Sequence, residues 1–296
     1  MNFSGRLTGF STLAAILSMT FLPVSPAQAA DDSNAAYSAK MAHEHGNDTA
    51  AASPATVPEP AQAVAGEEVT YATLGGVAVQ GYLAKPVAAA PAGKPWPALL
   101  VIQEWWGLND NIRAMARRYA GEGYVTLAVD LYEGKVATTP EAAGAAMQEA
   151  LKKPERLIEN LEQAQAYLKT QVKATKIGVV GWCFGGGWVL ETALRIPDGI
   201  DAAAMYYGRP QTDPKVLSAL KAPLVGFFGG KDDGIPVDAV RAMEQELKKL
   251  GKNVTITIYP EAGHAFANPT GPRYLAGPAT DAWEKTTAFF AKYLKS

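Results

Sequence analysis

The sequence predicts an α/β fold in which a mostly parallel central sheet is covered by helices on both faces. Two observations carry this. From about residue 98 onward, short apolar runs rich in Val, Ile, Leu and Ala alternate with longer helical stretches. The runs are apolar at consecutive positions rather than alternate ones, as in strands buried on both sides. A third observation permits the fold: the chain has 296 residues, of which 48% are hydrophobic, enough for one large core.

The first segment reads as an export signal. Arg6 is followed by the apolar stretch Leu13–Leu22, which Pro23 and Pro26 break, and Ala27-Gln28-Ala29 supplies an A-x-A cleavage site. The apolar stretch is too short to span a bilayer comfortably. Residues 1–29 are therefore expected to be a signal peptide, with the mature protein periplasmic or secreted and free of the membrane. Residues 30–66 are rich in Ala, Pro, Ser, Asp and Glu and show no apolar periodicity, so a disordered linker is expected. His43-Glu44-His45 lies in it without further ligands at a structural spacing, and a solvated tail is the expectation.

The folded domain is placed at 67–296. Val69–Leu74 and Val77–Leu83 flank Gly75-Gly76, which reads as a β-hairpin. Ala98–Gln103 is a buried strand ending in Glu104-Trp105-Trp106-Gly107. Asn109 is placed to cap a helix carrying Ile112, Met115, Ala116 and Tyr119 and ending at Gly121. Tyr124–Val129 is a strand, and residues 140–170 are helical with a break at Pro154. Strands then recur at Ile177–Gly181, Ala202–Gly208, Pro223–Gly230 and Val254–Tyr259. Helices are expected over Val237–Leu250 and from about Thr280 to Leu294.

The stretch with the most chemistry is Gly181-Trp182-Cys183-Phe184-Gly185-Gly186. A strand that turns sharply into a helix around G-x-nucleophile-x-G is a nucleophile elbow, here with Cys183 at its tip. The helix N-terminus beside the sulfur favours a thiolate, whose unperturbed pKa of about 8.5 is too high for neutral pH. Functional groups in such sheets gather beyond the carboxyl ends of the strands. Glu104, Cys183, Asp232 and His264 all fall there, with Asp233 as a competitor of Asp232 that stands farther from its strand. The chain order nucleophile, acid, histidine is that of α/β-hydrolases. Cys183 is the sole cysteine, so no internal disulfide exists, and His264 is the sole histidine of the expected domain.

These motifs together resemble the dienelactone hydrolase family. Gly181–Gly186, Gly229-Gly230-Lys231-Asp232 with Pro236, and Ala262-Gly263-His264-Ala265-Phe266-Ala267 look like its three triad motifs. Gln103-Glu104-Trp105-Trp106-Gly107-Leu108-Asn109 looks like its Q-E-x-x-G-x-N loop, and Asp130-Leu131-Tyr132 and Tyr206-Tyr207-Gly208 also match. The resemblance implies an α/β-hydrolase fold and a Cys183–Asp232–His264 triad. It implies an oxyanion hole from the backbone N–H groups of Phe184 and Trp105, and a Glu104 that modulates the thiol. It also implies a small-molecule ester or lactone substrate and no metal or organic cofactor. Where the family's type members place a carboxylate-binding arginine four residues after the histidine, this chain has Asn268; Arg273 and Arg156 are not in register. Trp106, Trp182, Tyr207 and Asn268 are the expected pocket residues. A monomer is expected, and the net charge of −2 gives no reason to expect a nucleic-acid partner. A thiol-based redox sensor and a non-catalytic binding domain are the other two readings that a lone reactive cysteine permits.

Overall fold

The expected hairpin forms one edge of the sheet rather than a separate unit. Strands β1 (Val64–Leu74) and β2 (Val77–Pro86) pair antiparallel around Gly75-Gly76, both at positive φ. The computed structural model describes Met1 and residues 26–46, 48, 57–90 and 95–296. Strand β3 (Ala98–Ile102) is central. It pairs in parallel with β4 (Val125–Val129) on one side and β5 (Ile177–Trp182) on the other, and β2 joins β4 antiparallel. Beyond β5 follow β6 (Ala202–Tyr206), β7 (Leu224–Gly229) and β8 (Val254–Tyr259), all parallel, giving the order β1-β2-β4-β3-β5-β6-β7-β8. Every residue of β3 to β7 is buried, which requires cover on both faces. The edge strand β8 is half-exposed.

The chain leaves β3 toward β4 and then returns to the other side of β3 as β5. The loops after β3 and β5 therefore diverge and open a crevice at this switch of direction, the place where such sheets hold ligands. Glu104 follows β3, and Cys183 follows β5.

The helices lie close to their expected bounds. In α2 (Asp110–Gly121), Asn109 caps as expected, its side chain accepting the Ile112 N–H at 3.1 Å. The region 140–170 divides into α3 (Pro140–Leu151) and α4 (Pro154–Thr170), each starting with proline at its first position, where the missing N–H costs nothing. Then come α5 (Phe184–Arg195), the short α6 (Pro214–Leu217), α7 (Val237–Lys249) and α8 (Ala276–Leu294).

The N-terminal region differs from expectation. Residues 2–25, which hold the apolar stretch of the expected signal, lie outside the described residues. The expected linker instead begins in a helix, α1 (Pro26–Glu44), and β1 starts three residues before the expected domain boundary. Alanine is the best helix former, so this Ala-rich stretch needs no broad apolar face to be helical. Besides Ser38, what it buries is a narrow stripe at i, i+4, i+8: Tyr37, Met41 and, one residue past the helix, His45. The stripe ends in a histidine, so no apolar period registers in the sequence. Met41 packs beside Gly234, Asn34 accepts from Arg209 at 2.8 Å, and α1 lies against α3. Among the described residues, no helix is long and apolar enough to cross a membrane.

Candidate active site

The elbow is built as its glycines require. Cys183 sits at φ 55° and ψ −118°, a left-handed conformation that costs a side-chain-bearing residue about 1–3 kcal/mol. The surroundings enforce it. Cys183 N–H donates to the Tyr206 carbonyl at 3.0 Å, and its own carbonyl accepts from Gly187 at 3.2 Å. A Cβ on Gly185 would collide with the Gln103 carbonyl oxygen, and one on Gly181 would lie 2.7 Å from the Gly185 carbonyl. The turn is thus wedged between β3 and β6, with the sulfur at the switch crevice.

His264, in the loop after β8, faces it. Its Nδ1 hydrogen-bonds Asp232 Oδ2 at 2.7 Å, and both side chains are wholly buried. Asp232 is held in turn by the Ile235 N–H on its other oxygen at 2.8 Å. His264 Nε2 has no hydrogen-bond partner among the described residues. Of the competing carboxylates, it is Asp232 rather than Asp233 that meets the histidine.

A second imidazole reaches the same sulfur. His45 Nε2 lies 3.8 Å from Cys183 Sγ, and one nitrogen from each histidine lies with the sulfur inside a 4.8 Å cluster. His45 Nδ1 is 2.6 Å from Asp48 Oδ2, and Arg273 Nη2 is 2.7 Å from both atoms. Arg273 also donates to the Glu44 carbonyl. The His45 ring stacks on Trp105 with centroids 4.3 Å apart and meets His264 edge-on at 5.1 Å. The expected solvated tail is therefore wrong for His45, which is 2% exposed. Asp48 and Arg273 are likewise parts of the site that the sequence does not reveal. The histidine and the sulfur it meets are 138 residues apart in the chain.

These contacts set the charges. Burial pushes the Cys183 thiol up, but the two facing imidazoles more than reverse this and bring it down to about 6. Burial lowers His264, and the charges of Asp232 and Cys183 overcome it and hold the imidazole well above its ordinary value. Burial and the neighbouring sulfur raise Glu104 to about 7. Asn268 Nδ2 donates to Glu104 Oε2 at 2.6 Å, while its own oxygen accepts from the Thr270 N–H at 2.9 Å and hydroxyl at 2.7 Å.

The expected pocket residues divide. Trp106 and Asn268 do line a small hollow with His45, Glu104 and Trp105, of about 10 Å³, room for roughly one water. Tyr207 buttresses His264 and Phe266 from the core side. Trp182 is a correction. It turns away from the sulfur, because side chains alternate along β5, and packs against Tyr119 and Tyr206. Arg156 is remote, paired with Glu133.

Comparison with known proteins identifies the family. The sequence profile described as the dienelactone hydrolase family matches residues 79–294. The chain belongs to the dienelactone hydrolase family. Among its relatives, a protein of Methylorubrum extorquens provisionally named carboxymethylenebutenolidase is 35% identical over 220 residues, 69% of this chain and 75% of that one. One of Aquifex aeolicus with the same provisional name is 33% identical, over 74% of this chain and 96% of its own. A crystal structure from Klebsiella pneumoniae, provisionally titled a dienelactone hydrolase, superposes with a TM-score of 0.70 at 28% identity, covering 78% of this chain and all of that one. This dienelactone hydrolase family member is accordingly a hydrolase acting on carboxylic ester or lactone bonds of small molecules.

Proposed function

We propose that this hydrolase works through Cys183 as nucleophile, His264 as base and Asp232 as the group that orients His264. The observation that carries the reading is the fully buried His264–Asp232 pair, whose free imidazole nitrogen is directed into the cluster around the only sulfur of the elbow. Asp232 fixes the tautomer and stabilises the imidazolium. The thiolate attacks the carbonyl carbon, and the alkoxide leaves with a proton from His264. The developing oxyanion is held by the N–H of Phe184, free at the first position of α5, and by that of Trp105. Water deprotonated by His264 then hydrolyses the thioester, returning acid product and thiolate.

Glu104 modulates the thiol. Its charge next to the sulfur disfavours the thiolate once Glu104 ionises, and Asn268 holds it in place. The N-terminal pattern around Arg6, Leu13–Leu22 and Ala27–Ala29 supports export to the periplasm or beyond. With His45 on the face of Trp105, an ester has no room beside the sulfur, so turnover includes displacement of α1.

Cys183→Ala is expected to abolish hydrolysis of a small aryl ester and of an unsaturated lactone while leaving thermal unfolding near wild type. Undiminished turnover in that variant would refute the assignment.

A further inference from the structure

The hydrolytic reading uses one of the two imidazoles that face Cys183; the other, His45, has no task in it. We infer that Cys183, His264 and His45 form a binding site for a thiophilic divalent ion of the zinc type, complete only while α1 is docked. The site rests on the geometry alone; its effect on activity rests on the hydrolytic reading.

Three features support it. The first is spacing. Zinc bound tetrahedrally, with Zn–S of ~2.3 Å and Zn–N of ~2.0 Å, holds sulfur and nitrogen ~3.5 Å apart. Cys183 Sγ and His45 Nε2 are already 3.8 Å apart, and all three donor atoms fall within 4.8 Å of one another. The second is the support behind each ring. A metal-bound imidazole characteristically gives its other nitrogen to a carboxylate, which fixes the tautomer and makes the ligand more basic. His264 does this through Asp232 at 2.7 Å, and His45 Nδ1 lies 2.6 Å from Asp48 Oδ2, with Arg273 Nη2 2.7 Å from both atoms. The third is an unmet need. His264 Nε2 is completely buried and has no partner among the described residues.

The donor set also selects the ion. One thiolate and two imidazoles suit zinc or cobalt and reject magnesium and calcium, which take oxygen ligands. Three protein ligands leave a fourth position for a water or a small anion. The charges of Cys183, Asp232 and Asp48 offset those of the ion and of Arg273. Binding expels to solvent the protons on the ligating nitrogens of His264 and His45, and the thiol proton where one is present; nothing is oxidised or reduced. The ion ties α1 to the domain through His45 and engages the sulfur as a ligand. Loaded protein is therefore closed and inactive toward esters.

Cobalt titration of the chelator-treated full chain tests the site. Wild type should bind one equivalent and show thiolate-to-cobalt charge-transfer absorption, which Cys183→Ser should lose. His45→Ala and, as a milder change, His45→Gln should weaken binding by about tenfold or more. A second readout needs no spectroscopy. Lys40 is exposed on α1 and is the only Lys or Arg between Arg6 and Lys85. Zinc should slow tryptic cleavage there in wild type and not in the His45 variants. Unchanged affinity in both His45 variants, absence of the absorption band, or zinc-independent cleavage at Lys40 would each overturn the inference. If metal-free protein fails to turn over any ester while band and protection persist, the hydrolytic reading falls and the metal site stands.

Discussion

The acidity of Cys183 offers the sharpest test of the electrostatics at the elbow. The thiol falls from an ordinary 9.0 to about 6, a preference for the thiolate of ~4 kcal/mol. At pH 7 that converts a thiolate fraction of roughly 1% into roughly 90%. Because this group's folded value is depressed, its stabilisation of the fold is complete above pH 9 and is lost as pH falls toward 6. At pH 7 about 1 kcal/mol of it remains. The assay is ultraviolet absorbance of the thiolate in metal-free protein, with Cys183→Ser subtracted to remove the tyrosine background; the chain has no other cysteine. Wild type should titrate near pH 6. In His264→Gln the midpoint should rise by more than one pH unit, since the imidazolium facing the sulfur is the largest of the lowering influences. A wild-type midpoint at or above pH 8, or an unchanged midpoint in His264→Gln, would refute the reasoning.

Other outcomes follow from the same contacts. Asp232→Asn should lower kcat for an aryl ester by about 10²–10⁴-fold with little change in stability, because it leaves the packing and spoils the tautomer of His264; steady-state kinetics checks this. Glu104 has a folded value raised to about 7, so its burial costs the fold nothing below its unfolded pKa and up to ~3 kcal/mol well above pH 7. Glu104→Gln should therefore raise Tm at pH 8.5 and leave it near wild type at pH 4.5. Gly185→Ala would drive a methyl group into the Gln103 carbonyl, and urea denaturation should show a loss of about 1–3 kcal/mol or more.

The parallel strands and their order of chemistry were legible because each apolar run is long enough to bury on both faces and each ends in a polar group. The elbow, the His264 loop and Asp232 follow from that pattern alone. Pocket direction was less legible. Trp182 precedes the nucleophile, and only the pleat of β5 shows that it faces Tyr119 and Tyr206. Asn268 is legible as a pocket residue, but its bond to Glu104 depends on two loops 164 residues apart. Least legible was α1. A stripe of Tyr37, Met41 and His45 carries too little apolar surface to announce itself, and its partners lie across the whole chain. Arg273, out of register for the family's arginine, does bind a carboxylate, but that of Asp48.

The docking of His45 has a consequence in dose and distance. Only eight residues separate Asp48 from Val57, which is buried in the core, so the histidine competes with substrate as a tethered group. A tether this short gives an effective concentration in the millimolar range. Occlusion is then the same in dilute and concentrated protein, and only substrates present at comparable levels, or binding much more tightly than the segment does, displace it. A cut within the tether abolishes that advantage at once. The released peptide, even if intact and helical, would dilute away from a sulfur it had covered well.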